Sequence, residues 1–299
     1  FHLNTNYWMY WNFSGKLLST FINTNFNSQF KNRWRLNGNF TRVGQNISTN
    51  LLRGGPAFTM PGGLDMNLNI STDQSKKISF NIGNYQGLGD LKSYRNQEFW
   101  MGLNIRPMNA MSVSFEPGYG ITNNALQYVS TTKTGNTPRY IFAQIDQKTA
   151  SVTFRLNYTF THELSLEYYG QPFISGRKYT NFKRTTNPSA DKCSNRYRIF
   201  PTGEISHNEI DNSYSIDEDT DGTADYNFSS PDFNFRQFRS NLVVRWEYLP
   251  GSTLFLVWSQ GRTGSAANGS FDYGKDMKEL FGVQPHNVFL IKFSYWFSL

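Results

Sequence analysis

The sequence predicts an all-β fold, in which antiparallel strands form a transmembrane outer-membrane β-barrel with about 12 or 14 wall strands and long extracellular loops. Three observations predict it. Apolar and polar residues alternate with a period of two in most segments. Aromatic residues make up 17% of the chain although its mean hydropathy is −0.56, and short connections alternate with long ones. Strands that show one face to lipid and the other to water combine these properties.

The last stretch, residues 287–299, shows the alternation most clearly. One of its faces is mixed and contains Lys292, and the other is apolar. The apolar face carries Phe289, Ile291, Phe293, Tyr295, Phe297 and Leu299. A period of two indicates a strand with two different faces, and the aromatic face is expected to contact lipid. By resemblance to outer-membrane proteins generally, we interpret this stretch as the barrel-closing strand, which the barrel assembly machinery recognises during biogenesis.

The preceding wall strands follow in order along the chain. Residues 1–42 contain three alternating segments with very short joints, which predicts antiparallel hairpins. Residues 44–63, which include LLRGGPAFTMPGG, are expected to form an ordered loop. Further alternating pairs are residues 64–70 with 78–82, 99–105 with 111–115, 152–160 with 164–168, and 242–248 with 254–258. Tight turns join the strands of each pair and longer connections join the pairs, as in barrels with short periplasmic turns and long extracellular loops.

Two regions interrupt the alternation. Residues 118–149 form either an extra hairpin of wall strands or two long strands that project beyond the membrane and turn at Gly135. The projecting hairpin is preferred because it keeps the turn at residues 161–163 on the periplasmic side. Residues 171–233 are polar and lack wall alternation. A structureless loop of this length is unusual, so the region is expected to contain a hairpin of its own or to be functional.

The inward face of the predicted wall carries charges of both signs. Alternation places eight charged residues there: Glu98, Arg106, Glu116, Arg155, Glu167, Arg245, Glu247 and Lys292. Charges in a lumen need partners or water, so a balanced set predicts cross-strand ion-pair ladders that fill or constrict the interior. A strongly selective ion pore more often shows one sign. A narrow or plugged barrel is therefore favoured over an open diffusion pore.

Composition limits the class of protein and its partners. The 299 residues are treated as one barrel domain, and the first residue, Phe1, leads us to expect a missing N-terminal part with further strands or domains. The net charge of +7 is scattered along the chain, which argues against nucleic-acid binding and is compatible with anionic lipid headgroups. The single cysteine, Cys193, excludes an internal disulfide.

One acidic segment resembles a calcium-binding loop in its spacing. Asp217, Asp219, Asp221, the carbonyl of Thr223 and Asp225 occupy the ligand positions, and Gly222 occupies the position of the sharp turn. Phe228 stands where such a loop has its bidentate Glu. Two interpretations remain open: a weak Ca²⁺ site that is completed from elsewhere, and an acidic turn exposed to solvent.

Sequence motifs of catalysis do not occur in the chain. It contains no GxSxG elbow and no HExxH pair. Its four histidines, His2, His162, His207 and His286, are isolated in sequence and are expected to lie on the surface or in turns. The protein is therefore predicted not to be an enzyme.

Six segments carry a resemblance to a known family. They are LLRGGPA, IDQKT, YYGQPFI, DEDTDGTADY, FRSNLVVRWEYLPGSTLFLVWSQ and NVFLIKFSYWF. Through them, essentially the whole chain resembles the C-terminal barrel domain of a family of uncharacterised Bacteroidota outer-membrane proteins. Members of that family typically carry an N-terminal β-sandwich similar to carbohydrate-binding module family 9. The resemblance implies an outer-membrane barrel in a Gram-negative cell and supplies no reaction.

The leading functional hypothesis is an integral outer-membrane barrel that serves as an anchor or accessory subunit of an envelope complex. Its partners would be outer-membrane lipid and other outer-membrane proteins, and its lumen would be narrow or plugged. The alternatives are a solute channel, for example for oligosaccharides, a membrane-embedded hydrolase, and a secreted soluble β-sandwich. The position of the LLRGGPAF loop relative to the lumen would favour or disfavour a plug.

Overall fold

The computed structural model describes residues 1–297, and most of these residues lie in antiparallel β-strands. The first nine strands are β1 (His2–Trp11), β2 (Leu17–Gln29), β3 (Arg35–Val43), β4 (Asn46–Ser48), β5 (Phe58–Met60), β6 (Gly63–Ser71), β7 (Ile78–Gly89), β8 (Tyr94–Met108) and β9 (Met111–Thr134). They are followed by β10 (Thr137–Thr159), β11 (Leu164–Thr185), β12 (Tyr197–Ile199), β13 (Ile205–Asn208), β14 (Ser213–Ile216), β15 (Tyr226–Ser229), β16 (Phe233–Leu249) and β17 (Ser252–Ala266). The helix α1 (Tyr273–Gly282) and the strand β18 (His286–Ser294) complete the chain. Short 3-10 turns lie at Asp90–Lys92 and Cys193–Asn195.

One large sheet forms the wall of the molecule. Its strands follow the order β1-β2-β3-β6-β7-β8-β9-β10-β11-β16-β17-β18, and β12 pairs with β11 beside this path. Every pairing along this path is antiparallel. The path follows chain order but skips the short strands β4 and β5 between β3 and β6, and β12 to β15 between β11 and β16. The path has twelve wall strands, which confirms the smaller of the two predicted numbers. In residues 1–297, β1 pairs with β2 and β18 pairs with β17, and each of these two strands has one pairing partner.

The two faces of the wall differ in exposure as well as in polarity. On β7, Phe80 and Ile82 are 46% and 57% exposed, whereas Ser79, on the opposite face of the strand, is 1% exposed. Phe99 and Met101 on β8 are about half exposed too. A protein folded in water buries the apolar face of a sheet. This wall instead leaves its apolar face exposed.

The connections differ between the two ends of the wall. At one end, the short-turn end, strands are joined by the brief connections 30–34, 72–77, 109–110, 160–163 and 250–251. The opposite end, the long-loop end, has the connections 44–62, 186–232 and 267–285, together with the projecting tips of β9, β10 and β11. β9 and β10 have 24 and 23 residues and turn at residues 135–136, which confirms the projecting hairpin. β11 continues to Thr185, so the first part of the predicted loop 171–233 is strand.

Folded loops cover both faces of the projecting tips. The small sheet β13-β14-β15 packs onto Ile141, Ala143 and Ile145 of β10, together with Phe182 of β11. Phe142 points the opposite way and packs with Leu52 and Phe58 of the loop that holds the β4–β5 ribbon. The ordered loop predicted at residues 44–63 and the hairpin predicted within residues 171–233 are both present. They form a layer of loops at one end of the wall, which we call the loop layer (residues 44–62 and 186–232).

Within the described range 1–297, no helix is long and apolar enough to cross a membrane.

Candidate functional site

The eight predicted inward charges all lie on wall strands, but they do not form ion-pair ladders. Among the ion pairs of residues 1–297, one joins members of this set: Arg245 Nη2 lies 2.7 Å from Glu247 Oε2. These two residues are neighbours on the same face of β16 and do not bridge two strands. The prediction of cross-strand ladders is therefore wrong. Alternation assigns each charge to a face, but it does not decide which charges stand opposite each other on paired strands.

The other charges of the set find weaker partners or water. The guanidinium of Arg155 lies over the ring of Tyr169, 4.7 Å from its centroid, and Arg106 Nη2 donates to the carbonyl of Gln74 at 3.0 Å. Glu98, Glu116, Glu167 and Lys292 are exposed. The rest of the polar face is connected by neutral groups, for example Gln171 Nε2, which donates to Thr153 Oγ1 at 3.0 Å. This face is a hydrated polar surface in the described part of the chain.

The terminal strand pairs as predicted but ends earlier. Phe293 lies opposite Leu254 of β17, and its ring stacks on Tyr248 with centroids 5.4 Å apart. Strand β18 ends at Ser294, so Tyr295 and Phe297 follow the strand instead of continuing it. Phe297 is 67% exposed. Leu299 lies outside the described residues, and its predicted role in the strand stays a prediction.

The acidic loop joins β14 to β15 and brings three of its predicted ligands together. Asp217, Asp219 and Asp225 each offer a carboxylate oxygen, and these oxygens lie within 4.8 Å of one another. Asp221 is not in this group. Its Oδ1 instead accepts from the backbone N–H of Thr223 at 2.7 Å. One oxygen, Asp217 Oδ1, is buried and has no hydrogen-bond partner within the described structure.

Two further residues explain the shape of this loop. Gly222 has a φ of 92°, a left-handed conformation that glycine adopts without steric cost. Phe228, which stands in place of the bidentate Glu, is 7% exposed and packs on Phe182 with ring centroids 5.4 Å apart. A carboxylate at this position would be buried in the apolar cluster under β13-β14-β15. The segment is thus a β-hairpin loop with three convergent carboxylates, and it lacks the helices of an EF-hand.

A half-buried carboxylate that sequence reasoning missed ties this loop to the wall. Glu218 is 14% exposed at its side chain and forms ion pairs with Arg139 of β10 at 3.1 Å and with Arg184 of β11 at 2.9 Å. The hydroxyl of Tyr226 donates to the same carboxylate at 2.6 Å, and burial together with this bond raises the pKa of Tyr226. In the sequence, Glu218 lies between two predicted ligands, Asp217 and Asp219. No local pattern indicates that its side chain points toward the wall and theirs do not. Its partners lie 79 and 34 positions away in the chain.

A buried lysine of β11 lies next to the loop layer. Lys183 of β11 is 3% exposed, and its ammonium donates to the carbonyl of Ala125 at 2.8 Å and faces the ring of Tyr197. Burial lowers the pKa of Lys183, because removal from water disfavours the charged form. Arg196 is also buried and donates to three backbone carbonyls, including that of Thr59 in the opposite loop. The cations of this layer hold loops together by backbone contacts.

Geometry and sequence together define a class of protein: an all-β chain whose single large antiparallel sheet exposes its apolar face. The chain belongs to the family described as "Domain of unknown function (DUF5916)", which matches residues 1–298. This family membership agrees with the resemblance given by the sequence, whereas an N-terminal sugar-binding sandwich and a Bacteroidota origin stay predictions.

Two solved structures are similar to the chain. One is titled "Copper transporter OprC", with a TM-score of 0.46, 9% identity, and coverage of 97% of this chain and 42% of that chain. The other is the siderophore receptor PiuA from Acinetobacter baumannii, with a TM-score of 0.41, 12% identity, and coverage of 92% and 44%. This chain therefore spans less than half the length of each. No curated protein matches the chain.

Proposed function

We propose that the chain is an integral part of the wall of a bacterial outer-membrane β-barrel, and that it serves as an anchor or accessory subunit of an envelope complex. The observation that carries this proposal is the exposed apolar face of the wall. It extends over β2 to β18 and includes Leu68, Phe115 and Trp246, each 42% to 50% exposed. In water, a contiguous apolar surface of this extent is an aggregation hazard. In a bilayer it replaces lipid–lipid contacts at little cost, and the polar face is kept in water.

The alternative of a secreted β-sandwich fails on this point. A sandwich needs a second sheet over the apolar face of the first. In residues 1–297 the further sheets have three strands and two strands, and they pack on the projecting tips instead of the wall. The sandwich prediction is wrong for the described chain.

The two edge strands of the wall, β1 and β18, also set a condition for insertion into a bilayer. β1 and β18 present backbone N–H and C=O groups that the described strands do not pair. In hydrocarbon, each unpaired group costs several kcal/mol. Insertion into a bilayer therefore requires both edges to pair with further strands or with each other.

The anchor role is supported by the loop layer. The layer has its own apolar clusters, half-buried ion pairs at Glu218 and a buried Arg196. It is therefore a stable surface that a partner can recognise. Under the proposal this layer faces the cell exterior, because short turns are typical of the periplasmic side. Other outer-membrane proteins are the proposed partners.

A solute channel is the second candidate, and one observation favours it. Charges on the polar face are exposed and mostly without ion-pair partners, which fits a hydrated interior better than a packed one. The loop that carries LLRGGPAF packs on Tyr128, Tyr140 and Phe142 of the projecting tips. These apolar contacts do not involve the eight predicted inward charges of the wall. Single-channel conductance in planar bilayers separates the candidates, since an anchor with a filled lumen passes almost no current.

The test of the proposal is membrane fractionation. The chain, expressed with an outer-membrane signal, is expected in the outer-membrane fraction, to resist extraction by carbonate, and to require detergent for solubility. It should migrate differently on denaturing gels before and after heating, as folded barrels do. A monodisperse soluble monomer without detergent would refute the proposal.

A further inference from the structure

One segment of the chain lies across the apolar face of the wall. The connection between β17 and β18 crosses β16 and β11, so that Phe271 reaches Tyr119 of β9 with ring centroids 6.2 Å apart. Phe271 and Tyr273 border an apolar cavity of about 480 Å³, whose floor includes Ile82, Phe99 and Val152. The cavity lies on the face that the proposed function assigns to lipid. It is a recess in this face.

The position of Phe271 is fixed by several interactions. Asn234 Nδ2 donates to the carbonyl of Ser270 at 2.6 Å and to Asp276 Oδ1 at 3.0 Å. The absence of a side chain at Gly176 leaves room for the backbone of Ser270. A Cβ atom at position 176 would lie 2.5 Å from the carbonyl oxygen of Ser270. A side chain at position 176 would displace this segment, so the shape of the recess depends on the close packing of the segment against Gly176.

Two lysines flank the recess on its long-loop side. Lys148 and Lys178 line a second cavity of about 250 Å³, which shares Phe271 with the first. Both side chains are exposed, and among the ion pairs found in residues 1–297 neither lysine has a partner. Asp146 also lines this cavity, but its carboxylate accepts from the amides of Asn123 and Gln144. The two ammonium groups are therefore available to an anion.

The order of these groups along the wall indicates the orientation of a ligand. Lys148 and Val152 are on the same face of β10, four residues apart, which corresponds to about 13 Å along the strand. The cations lie toward the long-loop end and the apolar recess lies toward the bilayer centre. A lipid of the inner leaflet would present its headgroup in the opposite direction.

We propose that this recess binds one molecule of the phosphorylated, acylated glycolipid of the outer leaflet, with an acyl chain against Val152 and Phe271 and a phosphate between Lys148 and Lys178. The inference rests on the proposed function, because it requires the apolar face to contact lipid with the long-loop end outside. Ammonium groups bind phosphate by charge-assisted hydrogen bonds, and basic pockets at this level of a membrane protein bind lipid headgroups.

The experiment measures lipid binding by the full chain, purified in detergent and depleted of bound lipid. Purified lipid A, phosphatidylglycerol and inorganic phosphate are titrated separately, and bound lipid is counted by native mass spectrometry. The variant pair Lys148→Gln/Lys178→Gln removes the cations, and Phe271→Ala opens the recess. Lys77→Gln, an exposed lysine at the short-turn end, is the matched control. Heat modifiability is recorded for every sample.

The expected result is saturable 1:1 binding of lipid A, at least tenfold weaker in the lysine double variant and in Phe271→Ala, and unchanged in Lys77→Gln. Equal binding by the wild type and the double variant, or equal affinity for phosphatidylglycerol and lipid A, would overturn the inference. Phosphate alone binding as tightly as lipid A would also overturn it. If the wild type is not heat-modifiable, the proposed function fails, whereas a heat-modifiable chain without lipid A preference refutes the site alone.

Discussion

Arginine placed on the apolar face of the wall provides a direct measure of where that face lies. Phe115 on β9 is 42% exposed and pairs with Phe154 of β10. It lies four residues from the start of β9, about 13 Å along the strand, and a strand tilt of roughly 40° places it about 10 Å from the short-turn end. An apolar band about 25 Å tall would have Phe115 close to its centre.

Phe115→Arg should therefore destabilise the inserted wall by about 2–4 kcal/mol, which is roughly a 30- to 700-fold change in the equilibrium constant. In a protein folded in water, the same exposed position would tolerate the change to within about 0.5 kcal/mol. The neighbouring residue Glu116 points to the polar face, so Glu116→Arg is the matched control and should cost little.

The assay is reversible folding into lipid vesicles in urea, followed by tryptophan fluorescence and by migration on unheated gels. The free energy of unfolding of each variant is compared with that of the wild type. Equal losses for Phe115→Arg and Glu116→Arg, or a loss below 0.5 kcal/mol for Phe115→Arg, would refute the assignment of this face to lipid.

Three further predictions concern the loop layer. Glu218→Gln keeps the shape of the side chain but removes its charge, so the 217–225 loop should lose about 1–3 kcal/mol of local stability and be cleaved faster by protease, whereas exposed Glu209→Gln should behave as the wild type. We propose that Asp217, Asp219 and Asp225 bind Ca²⁺, so Ca²⁺ should protect this loop from protease in the wild type and not in Asp217→Asn. Protection by Mg²⁺ alone, or no protection at millimolar Ca²⁺, would contradict that proposal. Burial lowers the pKa of Lys183 in the folded state, so between that lowered pKa and the ordinary lysine range the folded protein binds fewer protons than the unfolded chain. The stability of this region should therefore rise with pH across that range. Lys183→Met should abolish this rise, as measured by amide hydrogen exchange corrected for the intrinsic pH dependence of exchange.

Strand identity and strand face were predictable from the sequence because the period of two is a local property. The alternation along β7, β8 and β17 assigned Phe80, Met101 and Leu256 to one face, and the structure has all three exposed on it. Turn lengths likewise predicted the projecting hairpin of β9 and β10. Elements whose pattern depends only on neighbours in the chain could be found without coordinates.

The error in the predicted charge ladders has a physical origin. Arg155 and Glu167 lie on paired strands and share a face, but Arg155 pairs with Tyr169 and Glu167 with Asn157. The two charges are therefore offset by two residues along the paired strands. The register of paired strands is set by bulges and turns. Here the register runs on from the pair Thr159 and Ser165 beside the turn at residues 160–163.

The sequence by itself determined the all-β class, a wall of about twelve strands, the apolar face and the acidic loop, because each follows from short-range spacing. Only the tertiary structure decided which loop covers which tip, that Glu218 joins Arg139 and Arg184, and that Phe271 reaches Tyr119 of β9 and borders a recess beside Lys148 and Lys178. These contacts join residues that are distant in the chain. Their geometry depends on how a wide, twisted sheet brings its loops together, and no local pattern encodes that.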